Sequence, residues 1–141
     1  MLDLIIKNGS CYIDKDLKDQ DIAIKDGKII KIGKIDNEAK EIFDAKGLTV
    51  LPGCIDTQTH FREPGSTDTE DLHSGSRAAI VGGITSVFEM PNTNPPTSTK
   101  IEFQKKLDLA QNRMYCNYAF YFGATADNAS ELADLVDLEG C

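Results

Sequence analysis

The sequence predicts an α/β fold in two parts: a small β unit over residues 1–50, then three strand–helix units of a parallel sheet over residues 51–141. Three observations carry this. Short apolar segments ended by Asn-Gly, Asp-Gly or Lys-Gly pairs fill the first fifty residues. After Leu51, apolar strands alternate with segments of helical periodicity, the pattern of a parallel sheet. Helical segments there open on Ser/Thr-x-x-Glu signals, which satisfy the free N–H groups of a first turn.

In "DIAIKDGKIIKIG", Ile22 and Ile24 alternate with Ala23 and Lys25, and Asp26-Gly27 supplies the positive-φ positions of a tight hairpin. "LIIKNG" and "EIFDAKG" predict further strands, ended by Asn8-Gly9 and Lys46-Gly47. "LTVLPGCIDTQTH" is an apolar strand that finishes in polar residues. Thr67 and Glu70 predict a capping box for a helix through "EDLHSGSRAAIVGG", closed by Gly82-Gly83. "ITSVFEM" predicts a second buried strand, stopped by Pro91. Thr99 and Glu102 form a second capping box, after which Phe103, Leu107 and Ala110 share one helical face. "YCNYAFYFGAT" predicts a third strand, and "DNASELADLVDLEG" a third helix with Leu132, Leu135 and Val136 turned inward.

Such units carry their functional groups at the carboxyl ends of the strands. Here those ends are Thr57 to Arg62, Met90 to Thr93, and Gly123 to Thr125. Three units do not close a barrel, and Cys141 follows a helix where a fourth strand would begin. The chain therefore reads as the front part of something longer.

Composition narrows the function classes. A chain of 141 residues, 40% hydrophobic and 27% charged, can bury a core as a soluble globular protein. A net charge of −8 with no local Lys/Arg cluster argues against nucleic acid as a partner. Runs such as "AAIVGGI" are too short for a membrane span, and "MLDLIIKNG" lacks the pattern of a signal peptide. The four cysteines, Cys11, Cys54, Cys116 and Cys141, form no C-x-x-C pair. Reduced thiols in a cytoplasmic protein are expected, with Cys54 a small buried core residue.

Gln58, His60 and Arg62 fall at i, i+2 and i+4, so an extended segment would point all three into one cavity. His60 is a good zinc ligand, Arg62 is a planar fork for a carboxylate, and Gln58 is a poor zinc ligand. Asp56 would face the same side but lie deeper, as a supporting or buried carboxylate. Glu63 reads as a salt-bridge or loop-supporting residue, and Glu89 as a cavity residue or a partner of Arg62. His73 reads as a solvent-exposed helix residue.

The strings "LPGCIDTQTHFREPG" and "GSRAAIVGGITSVFEMPNTNPPT" resemble the dihydroorotase family of the amidohydrolase superfamily. Matching positions are Pro52, Gly53, Ile55, Asp56, His60, Arg62 to Gly65, Gly82, Gly83, Thr85, Met90 to Thr93 and Pro95. The resemblance implies the N-terminal portion of a (β/α)₈ (TIM) barrel beside a small β-sandwich. It implies that His60 is a zinc ligand, with one or two ions in the complete enzyme, and that Arg62 and Asn92 hold the substrate carboxylate. The reaction implied interconverts carbamoyl-aspartate and dihydroorotate in pyrimidine biosynthesis. "MPNTNP" with Arg62 favours this substrate over an allantoinase-type or hydantoinase-type ring.

Gln58 stands where the family's first metal-binding histidine belongs. Three readings fit it: a site with one tightly held metal, a rearranged ligand set, or a catalytically silent scaffold that holds aspartate transcarbamoylase. A homodimer is the other assembly expected. No catalytic acid or base is identifiable, because the family places it on later strands, and the 141-residue chain alone is expected to be inactive.

Overall fold

The computed structural model describes residues 1–141. The chain divides into two compact units, Met1–Pro52 and Gly53–Cys141.

The first unit holds β1 (Leu2–Lys7), β2 (Ser10–Ile13), β3 (Asp16–Asp19), β4 (Asp21–Lys25), β5 (Lys28–Gly33), β6 (Ala39–Asp44) and β7 (Thr49–Val50). They form one sheet in the order β5-β4-β1-β6 and another in the order β3-β2-β7. The β4–β5 hairpin turns at Asp26 and Gly27, with φ of 50° and 71°, as the Asp-Gly pair predicts. A second hairpin, β2–β3, turns through Asp14 and Lys15, also left-handed at 54° and 68°. It has no glycine, which hides it from a search for turn residues. Ile5 and Ala23 of the larger sheet and Ile35, just after β5, pack together as a buried cluster.

The second unit holds β8 (Cys54–Thr59), α1 (Leu72–Val81), β9 (Ile84–Glu89), α2 (Lys100–Ala110), β10 (Asn117–Phe120) and a 3₁₀ helix, Ala129–Leu135. β9 lies between β8 and β10, parallel to both. The strand–helix alternation therefore gives a parallel sheet crossed by α1 and α2. Phe61, Leu72, Val87, Phe103, Ala110, Cys116 and Phe120 pack together as its core. Fully burying a side chain the size of Phe103 contributes about 1.5–3 kcal/mol.

Several details differ from expectation. α1 is capped by Asp71 and Ser74, not by Thr67 and Glu70. Asp71 accepts from the Ser74 N–H at 2.6 Å, while the Ser74 hydroxyl reaches back to the Asp71 N–H at 3.1 Å. α2 begins at Thr99 as expected, but Glu102 pairs with Lys105 and does not close the box. The third strand is four residues long. The third helix is a 3₁₀ turn in which Leu135 is buried and Leu132 half-buried. Val136 is exposed instead of inward, because the tighter winding turns it off the packed face. Cys54 is exposed, since β8 is an edge of its three-stranded sheet.

Candidate active site

The carboxyl ends of β8 and β9 bring His60 and Asn92 together. His60 Nδ1 lies 2.9 Å from Asn92 Oδ1. A carboxamide oxygen only accepts, so with Asn92 Oδ1 as the partner a neutral His60 would carry its proton on Nδ1 and keep the Nε2 lone pair free. The backbone sets this contact up. Met90 N–H donates to Thr59 C=O at 2.9 Å, and Phe61 N–H donates to Glu89 Oε1 at 3.2 Å. The peptide groups on both sides of His60 are thus tied to the end of β9.

The alternation expected to align Gln58, His60 and Arg62 is interrupted before Arg62. β8 stops at Thr59, and Arg62 adopts a left-handed φ of 61°. The chain turns there, so the extended-strand rule ceases to apply before Arg62. Gln58 is exposed, and its N–H donates to Asp56 Oδ1 at 3.0 Å. That contact is the role the structure gives Asp56. Arg62 is exposed, and its guanidinium has no hydrogen bond or ion pair within the chain.

Two loops press together beside these residues. Asn94 N–H donates to Pro64 C=O at 3.0 Å. Gly65 has φ of 123°, and a Cβ on it would sit 2.9 Å from Asn94 Cβ. Glycine is therefore required where the β8–α1 loop meets the β9–α2 loop. Gly75 of α1 serves a similar purpose, since a side chain there would strike the ring of Phe61.

Glu63 and Glu89 are both structural carboxylates at this end of the sheet. Glu63 receives both guanidinium arms of Arg113, at 2.8 and 3.0 Å, and the Leu72 N–H at the start of α1, at 2.9 Å. Those hydrogen bonds raise the Arg113 pKa further. Glu89 does not reach Arg62; it pairs with Lys106 of α2 at 2.8 Å. Although close enough for an ion pair, Glu89 Oε2 has no well-directed hydrogen bond, so charge holds the two together. Burial raises the Glu89 pKa and lowers that of Lys106, and the partner's charge offsets only part of either shift.

Lys106 was legible in principle. It falls three residues after Phe103 and four before Ala110, on the buried face of α2. The end of β10 is held differently. Asn128 donates to Ser98 and Gly123 carbonyls at 2.8 and 2.9 Å and accepts the Thr125 N–H at 2.7 Å. Tyr121 OH donates to Thr57 C=O at 3.1 Å, linking that end to β8. His73 is exposed as expected, with its Nε2 3.2 Å from Tyr115 OH.

The donor set falls short of a zinc centre. No three His, Cys, Asp or Glu side chains converge, and zinc needs three or four protein ligands. His60 Nε2 makes no hydrogen bond within the chain and would be one donor of such a centre. No helix is long and apolar enough to cross a membrane.

The second unit is a parallel α/β unit, β8-β9-β10, with His60 and Asn92 at its strand ends. The chain belongs to the amidohydrolase family, whose profile matches residues 49–137. It is 41% identical over 134 residues to an allantoinase of Escherichia coli O1:K1, a match covering 94% of this chain and 30% of that protein. Among solved structures it is similar to the L-hydantoinase (dihydropyrimidinase) of Arthrobacter aurescens, at 34% identity and a TM-score of 0.86. That match covers 96% of this chain and 31% of the other. The D-hydantoinase (dihydropyrimidinase) of a Thermus species follows at 27% identity and 0.75, over 94% and 31%. The chain thus spans about 30% of the length of the curated relatives it matches.

Proposed function

We propose that this chain contributes the first strand-end residues of a hydrolase that opens cyclic amides of the allantoin or hydantoin type. The observation that carries the reading is the similarity to an allantoinase along 94% of the chain. Its two units would correspond to a β-sandwich and the first staves of a barrel. The chemistry at hand suits ring binding. Asn92 commits its oxygen to His60, which leaves its NH₂ free to donate to a ring carbonyl. His60 would present Nε2 toward the reacting amide, and the remaining donors of a metal-dependent site would come from residues beyond these 141.

A second reading keeps dihydroorotate as substrate. Its support is Arg62, an exposed guanidinium with no ion pair within the chain and therefore free to receive a carboxylate. The relatives named above favour the ureide ring, and that reading stands first.

The test is turnover on three rings offered separately: allantoin, hydantoin and dihydroorotate. The proposal expects kcat/KM to be highest for allantoin or hydantoin. Preference for dihydroorotate would restore the second reading, and Arg62→Ala would then raise KM for that ring sharply. No turnover on any ring by a protein that carries the remaining metal-binding residues as well would favour a silent scaffold.

A further inference from the structure

The Glu89–Lys106 pair lies behind the strand ends, and both side chains are sealed from solvent. A buried ion pair is a poor device for stability alone, since well-packed apolar residues often serve as well. Glu89 Oε2 even lacks a directed hydrogen bond. What the pair touches explains its presence better.

Glu89 Oε1 accepts the N–H of Phe61, the peptide just after His60. Lys106 Nζ lies 3.3 Å from both Met90 C=O and Thr97 Oγ1, and Met90 N–H in turn holds Thr59 C=O, just before His60. Thr97 closes the loop that carries Asn92: its N–H donates to Pro91 C=O at 2.9 Å, and its hydroxyl meets Thr93 Oγ1 at 3.3 Å. The ring of Phe120 backs the ammonium, 5.1 Å from its centroid. One half of the pair therefore grips the segment of His60, and the other half grips the loop of Asn92.

We infer that Glu89 and Lys106 are positioning residues whose joint attachment to these two segments holds His60 against Asn92. The inference rests on the reading that His60 and Asn92 act on the ring. The attraction between the two side chains keeps the segments in register, so the His60 Nδ1–H stays on Asn92 Oδ1. Neither residue touches substrate.

The test reads the imidazole directly. The chain has two histidines, so ¹⁵N spectra of the ring nitrogens are readily assigned. Spectra recorded at about pH 8.5, above the usual histidine range, report which nitrogen carries the proton. Lys106→Met strands a buried carboxylate, so E89Q/K106M is the variant expected to fold. The carboxamide introduced by E89Q keeps an acceptor for Phe61 N–H, while the thioether introduced by K106M has no proton to donate to Met90 C=O or Thr97 Oγ1.

The double variant should melt near the parent, yet its His60 nitrogens should move to the averaged shifts of a free imidazole. Its kcat on the preferred ring should fall about 10- to 100-fold, as for other residues that orient a working group. Phe103→Leu, a packing change one turn away on α2, should leave the His60 signals in place. A double variant that keeps both the His60 signature and kcat would overturn the inference and leave the pair as packing. Loss of the signature, where the parent protein with the remaining metal-binding residues in place turns over no ring, would overturn the hydrolase reading while the positioning role stands.

Discussion

Two carboxylate–cation pairs brace the same end of the second unit, and they are built differently. Glu63 and Arg113 meet as fork and carboxylate, with Glu63 also receiving an α1 N–H, and Arg113 remains partly open to water. Glu63 is buried but fully bonded, and Arg113 keeps part of its hydration. Glu89 and Lys106 are fully buried and joined by one close contact of poor hydrogen-bond geometry. The first pair is an ordinary clamp on a helix start. The second carries a heavy desolvation penalty, and its attachments run to the backbone around His60 and Asn92. The comparison teaches that burial and bonding must be weighed together: the less satisfied pair is the one whose presence calls for a function.

Four substitutions probe that contrast. The largest effect is expected at Lys106→Met, which leaves Glu89 buried and unpaired and should destabilise the protein by about 3–5 kcal/mol in denaturant unfolding. Adding Glu89→Gln should recover most of that loss; no recovery would mean the two side chains act separately. Glu63→Ala removes the acceptor of Arg113 and of Leu72 N–H, and should cost about 2–3 kcal/mol. A loss larger than that of Lys106→Met would reverse the ranking of the pairs. Gly65→Ala puts a side chain at φ of 123° against Asn94 and should cost about 1 kcal/mol or more by thermal melting.

The smallest effect concerns pH. Hydrogen bonds from the Ser74 N–H and hydroxyl hold the Asp71 carboxyl below its ordinary value. Its contribution to α1 is therefore fully present above the usual aspartate range and fades as pH falls through the depressed folded-state value. Asp71→Asn should flatten that acid limb in a plot of melting temperature against pH. An unchanged limb would assign the acid loss to other carboxylates.

The sequence made the β8–α1–β9–α2 alternation legible, because apolar runs and helical spacing differ in period and the helix ends carry glycine and capping residues. His60 and Asn92 were legible as strand-end residues through "THFREPG" and "MPNTNP". Their contact with each other was not, because it joins residues 32 apart in sequence through a loop geometry no local rule supplies. The turn at Arg62 is not legible in the sequence, because its left-handed φ falls on a residue with no bias toward it. Lys106 was hidden by its charge: a lysine on an apolar stripe is read as a solvated side chain until its buried partner is seen. The β2–β3 hairpin was missed for want of glycine, and the last helix wound as 3₁₀ because helical spacing alone does not set the turn.

The measurement that tests the account most directly is the protonation of the His60 ring in the unaltered protein. Asn92 Oδ1 as acceptor requires the proton on Nδ1, so the ¹⁵N spectrum should show a protonated Nδ1 and a bare Nε2. Asn92→Ala should abolish that preference. A proton found on Nε2 would mean that Asn92 turns its NH₂ toward the ring, and the orientation of His60 proposed for ring opening would be wrong.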